Sequence, residues 1–298
     1  SAFPSPDLFP LPRLAKSMAH ALRGLSPHEI IADMTAGNPD LRRQIALRYL
    51  SSGVLLAPPE LVISNGAMEA LNLCLQCVTQ PGDLVAIEGP AFYATLQVLE
   101  RLKLKAVEIP VHPREGIDLE ALANSLAHLP IKACWFMSSL QNPLGASMSE
   151  AKKQALYELL VRHQVPLIED DVYAELYFTR EPPKPVKSHD REGLVMHCGS
   201  FSKSLAPGYR IGWVAAGRFA QRRLITQHEH GAVAVDILGR VPENPRHGGK
   251  PAFHRTAKRH DGVQFLPEPG FGIVEPLDQF SRAIAAAVVQ GNVGSSEL

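Results

Sequence analysis

Short apolar runs alternate with stretches of helical period through most of this chain, and that alternation restricts the folds open to it. Leu61-Val62-Ile63-Ser64-Asn65-Gly66 reads as a short strand running into a glycine turn, with a helical pattern over 68–78. Asp83-Leu84-Val85-Ala86-Ile87-Glu88-Gly89 is a second strand with a turn and helix after it. A strand over 106–111, a helix over 119–129, a strand over 132–138 and a helix over 150–163 follow, and then the apolar run 165–168. Strands separated by helices predict an α/β fold with a mostly parallel sheet flanked by helices, whose ligands gather beyond the carboxyl ends of the strands.

Ahead of this core the first thirty residues are Pro-rich and carry one short helical pattern, 14–22, so residues 1–36 read as an N-terminal arm. Asn38 or Asp40 is placed to cap a helix over 41–50. A chain of 298 residues, 45% hydrophobic with 30 basic and 30 acidic side chains, can bury a core for one large domain and a smaller one. The charge balance gives no pointer to nucleic acid or membrane, and no run of eighteen apolar residues or signal segment is visible, so a cytoplasmic protein is expected. Ser1 in place of an initiator Met suggests a fragment or a processed chain. Cys74, Cys77, Cys134 and Cys198 sit among apolar residues and read as buried thiols, and no set of metal ligands is expected.

The chemistry is expected around Lys203. Apolar residues before it (Leu194, Val195, Met196) and after it (Ile211, Trp213, Val214) predict two buried strands that carry the turn inward. Ser200, Ser202 and Arg210 add hydroxyls and a fixed positive charge, which suit a phosphate beside an amine able to form a Schiff base. Four other stretches lie at strand ends. Gly66-Ala67-Met68 opens a helix whose N–H groups converge, as a phosphate site requires, though an ordinary strand-to-helix turn has the same wording. By itself Phe92 reads as core, and Gln141-Asn142-Pro143-Leu144-Gly145 reads as a turn with Pro at its second position. In Glu169-Asp170-Asp171-Val172-Tyr173 three acids follow an apolar run, so at least one should face a cation.

Ser200-Phe201-Ser202-Lys203, with Arg210 seven residues on, resembles the lysine motif of fold-type I pyridoxal-phosphate (PLP) enzymes of the class I/II aminotransferase family. The wording from Ser200 to Gly217 is most similar to the aminotransferase-like domain of MocR/GntR-type transcription regulators. The resemblance implies a fold-type I PLP-dependent transferase with PLP joined to Lys203 as an internal aldimine. It implies the phosphate in a cup of Gly66, Ala67 and Met68 with Ser200, Ser202 and Arg210, and Phe92 on the ring face. Asn142 and Tyr173 would donate to the phenolic oxygen, and Asp170 would pair with the protonated ring nitrogen. Glu169 and Asp171 are then expected at a solvated rim or helix cap. The family's cross-interface Tyr has no counterpart, since Ala32 stands there.

The likeness runs from about Gly37 to Phe219. The expected division is thus an arm (1–36), a large PLP-binding domain (37–220) and an altered or truncated C-terminal small domain (221–298). The residues after Lys203 amount to roughly half the family's usual tail, and 239–260 hold six Lys/Arg against one acid without helical period. An internal deletion or frame change is the expectation there. No motif identifies Arg255, Arg259 or Arg282 as the arginine that clamps a substrate carboxylate. Two functions stay open: a PLP domain of a transcription regulator that senses or processes an amino acid or amine, and a self-contained amino-acid aminotransferase. Either implies a homodimer, and the first implies a winged helix upstream of Ser1 that makes the DNA contacts.

Overall fold

The computed structural model describes residues 4–24, 26 and 36–220. The tail 221–298, with Arg255, Arg259 and Arg282, lies outside the described residues, as does Ala32. Helix α1 (Leu11–Gly24) buries Leu14 and Ala21, while Leu8 and Leu11 beside it stay exposed. Helix α2 (Pro39–Ser51) starts two residues before the expected 41, with Asn38 rather than Asp40 as its cap: the Asn38 side chain accepts from the Leu41 N–H at 3.0 Å, and Pro39 takes a first-turn position whose N–H would lack a partner.

The core is an eight-stranded sheet: β1 (Leu61–Ser64), β2 (Leu84–Gly89), β3 (Lys105–His112), β4 (Gly116–Ile117), β5 (Ile131–Phe136), β6 (Leu167–Asp170), β7 (Val195–Ser200) and β8 (Gly212–Ala215). Its spatial order is β1-β8-β7-β6-β5-β2-β3-β4. The pairings β2–β3, β2–β5, β5–β6 and β6–β7 are parallel, and β1–β8, β7–β8 and β3–β4 are antiparallel, so the mostly parallel expectation holds. The crossovers are α3 (Ala67–Val78), α4 (Tyr93–Arg101), α5 (Leu119–His128) and α6 (Glu150–His163).

Alternation along each strand sends side chains to opposite faces. Val85, Ile87, Ile168, Met196 and Val214 pack with Leu71, Cys74 and Leu75 of α3. Ala86, Cys134, Phe136, Leu167 and Val195 pack on the other face with Leu122 of α5 and Leu156 and Leu160 of α6. At the β1–β8 end Trp213 and Ala215 join Leu41, Ile45 and Tyr49 of α2 and Phe201. All four cysteines are buried and unbridged, as expected.

One feature of the topology positions the site. Strand β8 runs antiparallel to both β1 and β7, so β1 points the same way as β7, β6, β5 and β2. With β3 parallel to β2, six strands end on one edge of the sheet, and β8 begins there. The register Ser64↔Gly212↔Ser200 aligns three of these ends.

Candidate active site

Among the described residues, those singled out for the cofactor lie at or near this edge of the sheet. Gly66 follows β1, Phe92 follows β2, Asn142 follows β5, Asp170 closes β6 with Tyr173 after it, and Ser200 closes β7 before Lys203. Arg210 is the last residue before β8's own approach, after a short 3-10 turn, Pro207–Tyr209.

Asp170 is buried, and its Oδ1 has no hydrogen-bond partner among the described residues. Burial raises its pKa to about 7; the Asp171 charge pushes the same way, while hydrogen bonds from Val172 and Trp135 oppose it, as does His197 whenever its ring is protonated. A buried carboxylate oxygen left without a donor is costly, and a cation or N–H from outside the chain would relieve it. Lys203 is half-buried, which lowers its pKa, whereas the charge of Asp170 raises it. The Lys203 Nζ lies 5.7 Å from the centroid of the Tyr173 ring. Tyr173 has a raised pKa, through burial first and the Asp170 charge second, against a hydrogen bond with Asn142. Asp170, Tyr173, Asn142 and Lys203 thus form one group around an amine.

A second group forms at the start of α3. Gly66 is the N-cap at φ +86°, and a Cβ there would sit 2.5 Å from Nη2 of Arg210. That nitrogen donates to the Asn65 carbonyl at 3.2 Å. The N–H groups of Ala67 and Met68 belong to the first helical turn, which has no intrahelical acceptor for them. The Met68 side chain packs on the core, so only its backbone faces the turn. Gly212 holds the cradle from behind, for a Cβ on it would come 2.4 Å from the Gly66 carbonyl carbon. Ser200 and Ser202 are buried; the Ser200 hydroxyl lies 3.0 Å from the Ile211 carbonyl and accepts from the Ser202 N–H at 3.0 Å, so it braces the lysine turn. Phe92 is half-buried at the N-cap of α4 and meets the exposed Tyr93 at 4.7 Å between ring centroids.

Three features differ from expectation or were missed. Glu169 and Asp171 are not at a rim: both are buried. Glu169 accepts from the Ser138 hydroxyl at 2.5 Å and from the N–H groups of Val186 and Lys187 at 2.7 and 3.0 Å, enough donors to offset its burial. Asp171 lies 3.1 Å from Nε2 of His197. Glu88, at the end of β2, is a further buried acid, raised to about 8 by burial first, against hydrogen bonds from Met137 and Gln141 and with the Asp170 charge adding to the rise. Gln141 Nε2 donates to the Pro90 carbonyl at 2.9 Å and thereby ties the Phe92 turn to the Asn142 turn. The acid before Gly89-Pro90 was visible in the sequence, but its burial was not.

Comparison with known proteins identifies the family of this fold. The profile of the aminotransferase class I and II family matches residues 6–234. The chain is 52% identical over 222 residues to the uncharacterized HTH-type transcriptional regulator YdcR of Escherichia coli (strain K12), across 74% of this chain and 47% of that protein. It is 31% identical over 230 residues to aromatic-amino-acid aminotransferase 1 of Thermococcus litoralis, across 74% and 54%. The chain therefore spans about half the length of these relatives. A crystal structure of LysN, the α-aminoadipate aminotransferase of Thermus thermophilus complexed with N-(5'-phosphopyridoxyl)-L-leucine, matches with a TM-score of 0.71 at 28% identity, over 77% of this chain and 58% of that one. With the profile spanning the arm helix and the whole sheet, and with the strand ends built as described, this chain belongs to the aminotransferase class I and II family.

Proposed function

We propose that this chain is the PLP-binding, aminotransferase-like domain of a MocR/GntR-type transcription regulator, which holds PLP through Lys203 and senses or processes an amino acid. The observation that carries the cofactor reading is the orphaned, buried Oδ1 of Asp170 in the same group as the Lys203 amine. The residues fit PLP on chemical grounds. Asp170 accepts from a protonated ring nitrogen, Asn142 and Tyr173 donate to a phenolate, and Arg210 with the N–H groups of Ala67 and Met68 takes a phosphate at a helix N-terminus. Phe92 covers a ring face, and Ser200 and Ser202 hold the turn.

When bound, PLP supplies an electron sink for negative charge at the α-carbon of an amino acid. The protein's part is to keep that sink working. An ionised Asp170 would keep the ring nitrogen protonated; partial burial keeps more of Lys203 as the neutral amine, the form that would attach the cofactor and could take up a proton from the α-carbon. The regulator reading is favoured by the 52% identity to an HTH-type regulator against 31% to an aminotransferase. It assigns residues 37–220 to cofactor binding, 221–298 to an altered small domain, DNA contact to a winged helix outside this chain, and the whole to a cytoplasmic homodimer. No helix among the described residues is long and apolar enough to cross a membrane.

Borohydride reduction of the PLP complex followed by peptide mapping tests the cofactor reading. The label is expected on Lys203 and lost in Lys203→Ala; label on another lysine refutes it. Transamination of glutamate, alanine or aspartate faster than roughly 1 per second would favour the self-contained enzyme instead.

A further inference from the structure

The last turn of α2 reaches the site through two residues outside the cofactor set, Tyr49 against strands β7 and β8 and Arg48 against both loops. Tyr49 is buried, its hydroxyl 2.6 Å from Nδ1 of His197 and 3.0 Å from Nε1 of Trp213. His197 Nε2 lies 3.1 Å from Asp171 Oδ2, and both residues are buried. Next to Tyr49, Arg48 pairs with Glu175, two residues beyond Tyr173, and its guanidinium stands 5.5 Å from the centroid of Phe201, two residues before Lys203.

The protons of this relay can be assigned from its donors. Indole N–H can only donate, so the Tyr49 oxygen accepts from Trp213. The single phenolic proton is then directed at Nδ1 of His197, and His197 carries its own proton on Nε2, directed at Asp171. A doubly protonated His197 would turn Tyr49 into a double acceptor and leave its hydroxyl proton without one of these partners. The groups around the imidazole pull both ways: burial lowers its pKa, the hydrogen bond to Asp171 and the charges of Glu169 and Asp171 raise it, and Lys187 lowers it. The net direction is upward, so the directed relay belongs to the alkaline side of the titration.

We propose that Arg48 and Tyr49 are positioning residues for the cofactor site: Tyr49 holds His197 as the neutral Nε2–H tautomer that anchors Asp171 beside Asp170, and Arg48 ties the Tyr173 loop to the Lys203 turn. The functional consequence rests on the PLP reading above; the tautomer does not.

Two measurements separate them. Side-chain nitrogen NMR of histidine-labelled protein, followed upward in pH until the His197 signals stop shifting and with His197→Gln to identify them, is expected to show His197 with bare Nδ1 and protonated Nε2 on that alkaline plateau, with or without PLP. The opposite tautomer or a double proton overturns the relay. In PLP titrations Tyr49→Phe and Arg48→Met are expected to bind roughly tenfold more weakly, the loss of one buried polar contact, and to shift the pH midpoint of the visible Lys203 band, which a loss of bulk stability alone does not move. His197→Gln, whose amide can donate to Asp171 and accept from Tyr49, is expected to keep affinity and midpoint, while His197→Leu loses both. Equal behaviour of Gln and Leu at position 197, or wild-type affinity and midpoint in Tyr49→Phe, overturns the positioning role. Wild-type protein that takes up no PLP would sink the cofactor reading, leaving the relay to be decided by the nitrogen shifts.

Discussion

At the scale of single residues the site holds acids against their ordinary chemistry. An aspartate in an unfolded chain ionises near pH 4, whereas burial keeps the folded Asp170 protonated up to about 7. Between those values the folded state binds the extra proton, so stability falls as pH rises through the window and is level above it. Asp170→Asn removes this dependence. The cofactor-free variant is expected to melt higher than wild type at about pH 8, by an amount on the order of a few kcal/mol, with the gap closing towards pH 4. The same variant is expected to bind PLP more weakly, because an amide cannot hold the ring nitrogen's proton. Equal melting at both pH values would contradict the assignment. Glu88→Gln should behave alike with the upper limit near 8. A binding site that destabilises its own empty form is the usual relation between function and stability.

At the scale of elements the cradle proposed for a phosphate depends on two glycines with different reasons. Gly66 needs its left-handed φ of +86°, and its missing Cβ leaves room for the end of a flexible side chain, Arg210. Gly212 is an ordinary strand residue, yet its missing Cβ leaves room for the Gly66 carbonyl carbon and, at 2.7 Å, the Ala67 nitrogen. Backbone at the start of α3 cannot move as an arginine tip can. Gly212→Ala is therefore expected to lose about 1–3 kcal/mol of stability by overpacking, seen as a drop of several degrees in Tm. Gly66→Ala is expected to lose about 1–3 kcal/mol to its backbone conformation and to weaken PLP binding by displacing Arg210. Melting curves and PLP titrations of the two variants check this; a Gly212→Ala protein as stable as wild type would contradict the close approach of β8 to α3.

For the whole molecule, a ligand that binds only the folded chain stabilises it by mass action, about 2.7 kcal/mol at a hundredfold excess over Kd. PLP is expected to raise Tm accordingly, pyridoxal without its phosphate to raise it less, and Arg210→Ala to narrow the difference between the two. Identical shifts with both ligands would mean that the α3 cradle does not take the phosphate. The effect is a property of the assembled sheet. The cradle is drawn from β1, β7 and β8, which meet only because β8 inserts antiparallel between strands far apart in sequence.

What the sequence determined by itself is local. Apolar period and caps sufficed for α6, whose expected limits 150–163 match Glu150–His163 with the Ser149 side chain accepting from Lys152, whereas the chain order Gly66, Phe92, Asn142, Asp170, Lys203 and Arg210 was legible only through the family resemblance of the motifs. Tertiary structure alone decided the fates of Glu169 and Asp171, because a run of three acids does not say which of them finds donors. Those donors come from Ser138, Val186 and Lys187 in one case and from His197 in the other, and His197 is held by Tyr49 from 148 positions away. Period is written along a segment and can be read there, whereas the cost of burying a charge is settled by whichever groups the fold brings to it.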